Sequence, residues 1–226
     1  MKILALELST VRGSLAWLNS EERSARAPGA AHEGTCAPRN EDVELVREWP
    51  NDRKNSGPFF ENLTGVTEKF GAPDTIVVGL GPGSYAGTRI AISAAIGLQL
   101  SSGARLIGFP SICAMEGDVH EYCVIGDARR KSFFFARIRA NQLIEEPILF
   151  GGDELKAKLD TVGSEMPIFC SEPLPQFERA VIRYPSAIVL ARLAKDAERS
   201  FSLPPLEPMY LREPHITMPR STGGGT

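Results

Sequence analysis

The stretch VVGLGPGSYAGTRIAISAA, residues 77–95, decides how this chain is read. A β-branched apolar run passes through Gly79, Gly81, Pro82 and Gly83 and turns at once into a helix of small residues. Such a strand–turn–helix has three uses. Free N–H groups at the helix start, together with the positive end of the helix dipole, can cradle a phosphate. A turn capped by Ser84 can instead seat the helix tightly, with Gly87, Ala91, Ala94 and Ala95 permitting close approach. The outer face of the helix can also meet another protein. The turn lacks the Gly-Lys-Ser/Thr ending of a P-loop, and its glycine spacing is not that of the dinucleotide fingerprint.

Working outward, residues 74–80 predict a buried strand and 84–101 a helix. Upstream, KILALEL (2–8) is apolar nearly throughout, as a strand covered on both faces would be, and GSLAWLN (13–19) follows it as a hairpin partner. VELVREW (43–49) reads as a third strand. Phe59, Phe60, Leu63, Val66 and Phe70 are spaced for an amphipathic helix over 58–70. ARLIGF (104–109) adds a fifth strand, and Pro110 starts a short helix. Residues 1–109 thus read β-β-β-α-β-α-β, an N-terminal α/β lobe. Residues 110–226 begin again with three strands turning near 127–131 and 140–142. A helix (152–159), a strand (167–170) and a final helix (185–199) complete a smaller lobe, with 221–226 a flexible tail. Residues 20–42, rich in Ala, Gly, Pro and charge, read as a long insertion.

The 226 residues are 42% hydrophobic and carry a net charge of −3, which argues against broad nucleic-acid binding by the free chain. Four cysteines stand far apart with no CxxC pair; they read as reduced thiols in a cytoplasmic protein, with two bridges open on count alone. No apolar run reaches the roughly 18 residues of a membrane helix. The N-terminus reads as a strand and not a signal peptide.

Candidate chemistry is sparse. Glu7 closes the first strand before a hydroxyl-rich turn. Its carboxylate could hold a metal–phosphate pair while Ser9 and Thr10 donate to phosphate oxygens, beside Gly81, Gly83 and Ser84; a solvated strand end is the alternative. His32, His120 and His215 share no metal-ligand spacing. No serine occupies a G-x-S-x-G elbow. Asp127 lies beside Arg129, Arg130 and Lys131; it could fix a turn or meet an anionic partner, and a charged hairpin tip in solvent is the default reading.

ILALELST, GLGPGSYAGTRI, IGDARRKSFFFARI and EPMYLRE occur in that order, and together they resemble the TsaB (YeaZ) family. Members of that family are non-catalytic subunits of the bacterial machinery that forms threonylcarbamoyladenosine at position 37 of tRNA. The resemblance covers nearly the whole chain and is strongest at 77–97, 124–138 and 207–213. It implies a two-lobed actin-like, ribonuclease-H-type α/β fold, with mixed sheets flanked by helices.

It further implies pairing, through helices of the first lobe, with a catalytic homologue that binds ATP and metal, cooperation with a small ATPase subunit, and tRNA contact only within the complex. The interface candidates are Phe59, Phe60 and Leu63 on one helix and Tyr85, Arg89, Ile92 and Ile96 on the next. Self-pairing of the isolated chain stays open. The catalytic relative carries a histidine pair for its metal, which this sequence lacks; no cofactor or catalytic residue is therefore expected, with room left for weak ATP and Mg²⁺ binding. Three departures stand out: Glu7 where the family usually has Asp, Asn55 where many members have His, and a longer 20–42 segment. The competing functions are an ATP-dependent small-molecule kinase of the same superfamily and, last, a metal-dependent peptidase.

Overall fold

The computed structural model describes residues 1–19, 43–51 and 56–212. Strands β1 (Lys2–Glu7), β2 (Arg12–Asn19) and β3 (Val43–Pro50) form a meander, followed by helix α1 (Gly57–Phe70), strand β4 (Thr75–Gly79), helix α2 (Tyr85–Ser102) and strand β5 (Arg105–Phe109). They build a sheet in the order β3-β2-β1-β4-β5. β1 runs antiparallel to β2 and parallel to β4, so Ala5 stands between Ala16 and Val77.

The same plan is then repeated. Strands β6 (Glu121–Asp127), β7 (Ser132–Arg139) and β8 (Gln142–Gly151), helix α3 (Gly152–Thr161) and strands β9 (Ile168–Cys170) and β10 (Ala180–Ile182) give the order β10-β9-β6-β7-β8. In both sheets the first strand is central. Its hairpin partner lies on one side, and a strand reached by a crossover lies parallel on the other.

Alternation along β1 explains its unbroken apolar run. Leu4 and Leu6 enter a core with Phe59, Leu63 and Val66 of α1 and Ala91, Ile92 and Ala95 of α2. Ile3 and Ala5 face the other way, into a core shared with Val124, Phe134 and Ala136 of the second sheet. Helix α4 (Ala187–Leu193) lies in that second core, and Ser14 Oγ accepts its first N–H, from Ala187, at 2.9 Å. α3 covers the outer face of the second sheet through Leu155 and Leu159. The order of layers is α1/α2, first sheet, α4, second sheet, α3.

Residues beyond 185 return to the first sheet. Gly108 and Ser202 exchange backbone hydrogen bonds at 2.9 Å, Met209 N–H donates to Leu80 O at 2.8 Å, and Leu206 joins the α1/α2 core. The final helix is shorter than the predicted 185–199. After Leu193 the ladder tightens to turns, Lys195 N–H donating to Arg192 O at 3.2 Å and Asp196 N–H to Leu193 O at 3.0 Å, and Asp196 Oδ1 then accepts the Glu198 N–H at 3.1 Å. β10 was not anticipated; three residues leave no readable period. The 20–42 insertion, Asn55 and the 221–226 tail lie outside the described residues.

Among the described residues no helix is long and apolar enough to cross a membrane. Cys113, Cys123 and Cys170 are free and buried, and burial pushes the Cys113 thiol up to about 12. Cys36 lies outside the described residues.

Candidate functional site

The glycine turn is clamped onto the β1–β2 turn. Ser84 N–H, at the start of α2, donates to Ser9 O at 2.5 Å, while Ser84 Oγ caps the helix by accepting Gly87 N–H at 3.3 Å. A methyl group on Gly83 would overlap Ser9 O, and one on Gly87 would overlap Leu8 O. Both glycines are needed so that backbone can lie directly on backbone. Gly81, at φ +93°, sits in the left-handed region that its neighbours would resist. Its N–H donates to Ser111 Oγ at 2.9 Å, and its carbonyl accepts Ser111 N–H at 2.8 Å. From the other side, Asn51 Nδ2 donates to Leu8 O and Thr10 O at 3.1 and 2.8 Å.

Glu7 lies beneath this clamp and is fully buried. Its Oε1 accepts Ser9 N–H at 2.7 Å, and its Oε2 has no hydrogen-bond partner. A side chain on Gly79 would overlap Oε2, so the carboxyl fits only because position 79 is glycine. Burial raises the carboxyl above its ordinary range, against the opposing pull of the Ser111 and Ser9 hydroxyls, although neither hydroxyl closes a hydrogen bond to Oε2. The alternative of a solvated strand end is therefore ruled out. Ser9 Oγ is also buried and unpartnered.

The turn forms one wall of a cleft of about 480 Å³ between the two sheets. Ser9, Thr10, Gly83 and Ser84 line that wall, Asp127, Arg129 and Glu172 stand opposite, and the strap Pro208–Arg212 lines the remaining side. The six residues proposed for phosphate contact thus meet at one corner. Thr10, Gly83 and Ser84 line the cleft, as does Ser9 although its Oγ is buried, whereas Glu7 and Gly81 are not among the lining residues. Among the described residues no group of three His, Cys, Asp or Glu side chains is placed to hold a metal.

The partner candidates separate into two sets. Phe59, Leu63 and Ile92 are core residues, because the sheet-facing stripe of each helix must cover Leu4, Leu6 and Trp17. Phe60, Tyr85, Arg89 and Ile96 are exposed, as is Leu100 (82%), which sequence reasoning missed. Arg89 is held by a hydrogen bond to the Tyr85 hydroxyl, and the Tyr85 ring lies 5.5 Å from that of Tyr210. Tyr210 and Arg212 belong to the EPMYLRE stretch that carried the resemblance, but sequence reasoning gave neither a role at the site.

Known proteins give the geometry a context. The model of the family described as TsaD, tRNA N6-adenosine threonylcarbamoyltransferase, matches residues 62–212, more than half of the chain. No curated protein matches. A crystal structure of an uncharacterised protein with similarity to peptidase YeaZ, from Pseudomonas aeruginosa, is 20% identical, with 93% of this chain and 99% of that one covered at a TM-score of 0.65. YeaZ from Pseudomonas aeruginosa is 18% identical, with 86% and 91% covered at a TM-score of 0.61. Those two likenesses establish a YeaZ fold, and the match over 62–212 takes in the glycine turn, the wall with Asp127, Arg129 and Glu172, and the strap: the chain belongs to the tRNA N6-adenosine threonylcarbamoyltransferase (TsaD) family.

Proposed function

We propose that this chain is a non-catalytic subunit of the assembly that forms threonylcarbamoyladenosine in tRNA, where it binds and supports a catalytic homologue. The observation that carries this reading is the clamp. In a phosphate-handling relative of this architecture, the helix N-terminus and the first strand-end carboxylate would face the ligand. Here the N–H of the capping residue Ser84 is spent on Ser9 O, Gly87 N–H is spent on Ser84 Oγ, and the carboxyl is buried beneath the turn. What the clamp leaves outward is the far face of α1 and α2, where Phe60, Ile96 and Leu100 are exposed. An apolar helical face of this kind suits a partner built on the same plan. A small ATPase subunit would complete the assembly, and a homodimer through the same face is the competing occupant when the chain is alone.

The test is reconstitution. The chain, its catalytic homologue and the ATPase subunit are mixed with unmodified tRNA, and threonylcarbamoyladenosine is measured. Full activity of the other two without this chain would reject the proposal. The kinase reading keeps one observation in its favour, the cleft beside Ser9 and Ser84. Micromolar ATP–Mg²⁺ affinity with hydrolysis by the isolated chain would restore it.

A further inference from the structure

The β6–β7 hairpin tip, on the cleft wall opposite α2, is not used by the clamp or by the helical face. Its turn residues Arg129, Arg130 and Lys131 have φ of 65°, 54° and 61°, three successive left-handed residues with no glycine or asparagine among them. Side chains disfavour that region, and three in a row persist only where the surroundings hold them. They are held here. Ala128 N–H donates to Ser132 O at 2.9 Å, and Ser132 N–H donates to Arg129 O at 3.1 Å. Arg129 N–H donates to Asp127 Oδ1 at 2.6 Å, and Glu172 Oε1 accepts Asp127 N–H at 2.8 Å.

The two carboxylates thus lie at the base of the hairpin, with Arg129 returned onto Asp127 by an ion pair at 3.3 Å. Arg130 and Lys131 remain exposed at the tip, and neither has an ion-pair partner among the described residues. Arg212 is exposed on the strap lining the same cleft as Arg129, beside the exposed ring of Tyr210.

We infer that this rim is an RNA contact surface: Arg130, Lys131 and Arg212 meet backbone phosphates, and Tyr210 offers a stacking face to an unpaired base. The inference rests on the tRNA-modification reading for the identity of the polyanion. The charge pattern itself favours phosphate over a carboxylate-bearing protein. Cations on a narrow, pre-shaped tip beside an open aromatic fit a strand with regularly spaced charges and stackable bases. The tip is compatible with assembly, because it belongs to the second sheet and lies across the cleft from the start of α2, whereas Tyr210 packs on Tyr85 at the edge of that helix. An overall charge of −3 would confine binding to this rim.

Removing the cations without harming the fold is simple here, because glycine relieves the left-handed backbone that arginine and lysine tolerate poorly. The test follows fluorescence anisotropy of a labelled, unmodified tRNA transcript between about 50 and 200 mM salt, with the chain alone and with the chain assembled on its transferase homologue. For Arg130→Gly/Lys131→Gly the expected result is affinity lower by roughly tenfold or more, with a log–log salt slope shallower by about 1.4 to 1.8, and no loss of melting temperature. Arg130→Lys should retain binding.

Unchanged affinity and slope in both forms would overturn the inference, as would failure of the natural chain to bind the transcript in both forms. Lost assembly with intact RNA binding would assign the tip to a protein partner and also overturn it. RNA binding by a chain that never associates with the transferase would instead sink the accessory-subunit proposal and leave this one standing.

Discussion

Replacing Glu7 by Gln should stabilise the protein at neutral pH, and by more as the pH rises. The carboxyl is fully buried, Ser9 N–H satisfies one oxygen, and the other has no partner. A buried polar atom without a partner costs about 1–3 kcal/mol, and more if it is charged. The sign of the pH dependence follows from the raised pKa. Well below the ordinary carboxyl value of 4.5, folded and unfolded forms both hold the proton and stability is complete. Above it, the unfolded carboxyl ionises while the folded one stays protonated. Each pH unit then removes up to about 1.4 kcal/mol until the folded pKa is passed.

The usual salt-bridged carboxylate behaves in the opposite way, as Glu121 does beside Arg139. Glutamine keeps the acceptor for Ser9 N–H and removes the ionisation. Denaturant unfolding of both chains between pH 4.5 and 8 isolates the contribution, since other titrations cancel in the difference. The variant should gain at least about 1 kcal/mol at pH 8, or roughly 2–4 °C in Tm for a chain of this size. A Glu7→Gln chain less stable at every pH, or a difference that does not grow with pH, would refute the buried-carboxyl reasoning.

Two glycines of α2 should respond oppositely to alanine. Gly87→Ala forces a methyl onto Leu8 O and should cost about 2–4 kcal/mol in chemical denaturation, whereas Gly97→Ala meets nothing within 4 Å and should gain about 0.5–1 kcal/mol. Ile96→Asp with Leu100→Asp changes exposed side chains only, so stability should stay within about 0.5 kcal/mol while co-purification with the transferase homologue is lost. Arg130→Gly should raise stability by about 1 kcal/mol by relieving a left-handed residue, a gain read directly from the unfolding midpoint.

Strands and long helices were legible because burial leaves a periodic record. β1 could be recognised as covered on both faces, since the alternate residues Ile3, Leu4, Ala5 and Leu6 are all apolar. The glycine turn could be recognised as a tight seat, since only close backbone contact requires glycine at both 83 and 87. Illegible features were those set by helix rotation or by the rest of the fold. Ile92 and Ile96 are the same residue type one turn apart, yet one is in the core and the other exposed, because the crossing of α2 over the sheet fixes which side points down. Phe59 and Phe60 divide for the same reason. The turn near 127–131 was legible, but the left-handed backbone of Arg129–Lys131 was not; glycine or asparagine would have marked it, and hydrogen bonds to Asp127 and Glu172 hold it instead.

The clamp and the open helical face follow from one another. For α2 to rest on the β1–β2 turn, Gly83 and Gly87 must admit the carbonyls of Ser9 and Leu8. Once they do, Ser84 N–H is spent on Ser9 O and the small residues Ala91 and Ala95 lie against the sheet. A helix seated this deeply covers its share of the core with Ala91, Ile92 and Ala95, flanked by the partly buried Ile90 and Leu98. Ile96 and Leu100 are then left on the outside, where water gains nothing from them. Opening the turn to admit a phosphate would require Ser84 N–H to leave Ser9 O and the helix to rise from β1. That motion would draw Ala91 and Ala95 out of the core, so ligand capture in the turn and a fixed outer face are alternatives within one mechanical element.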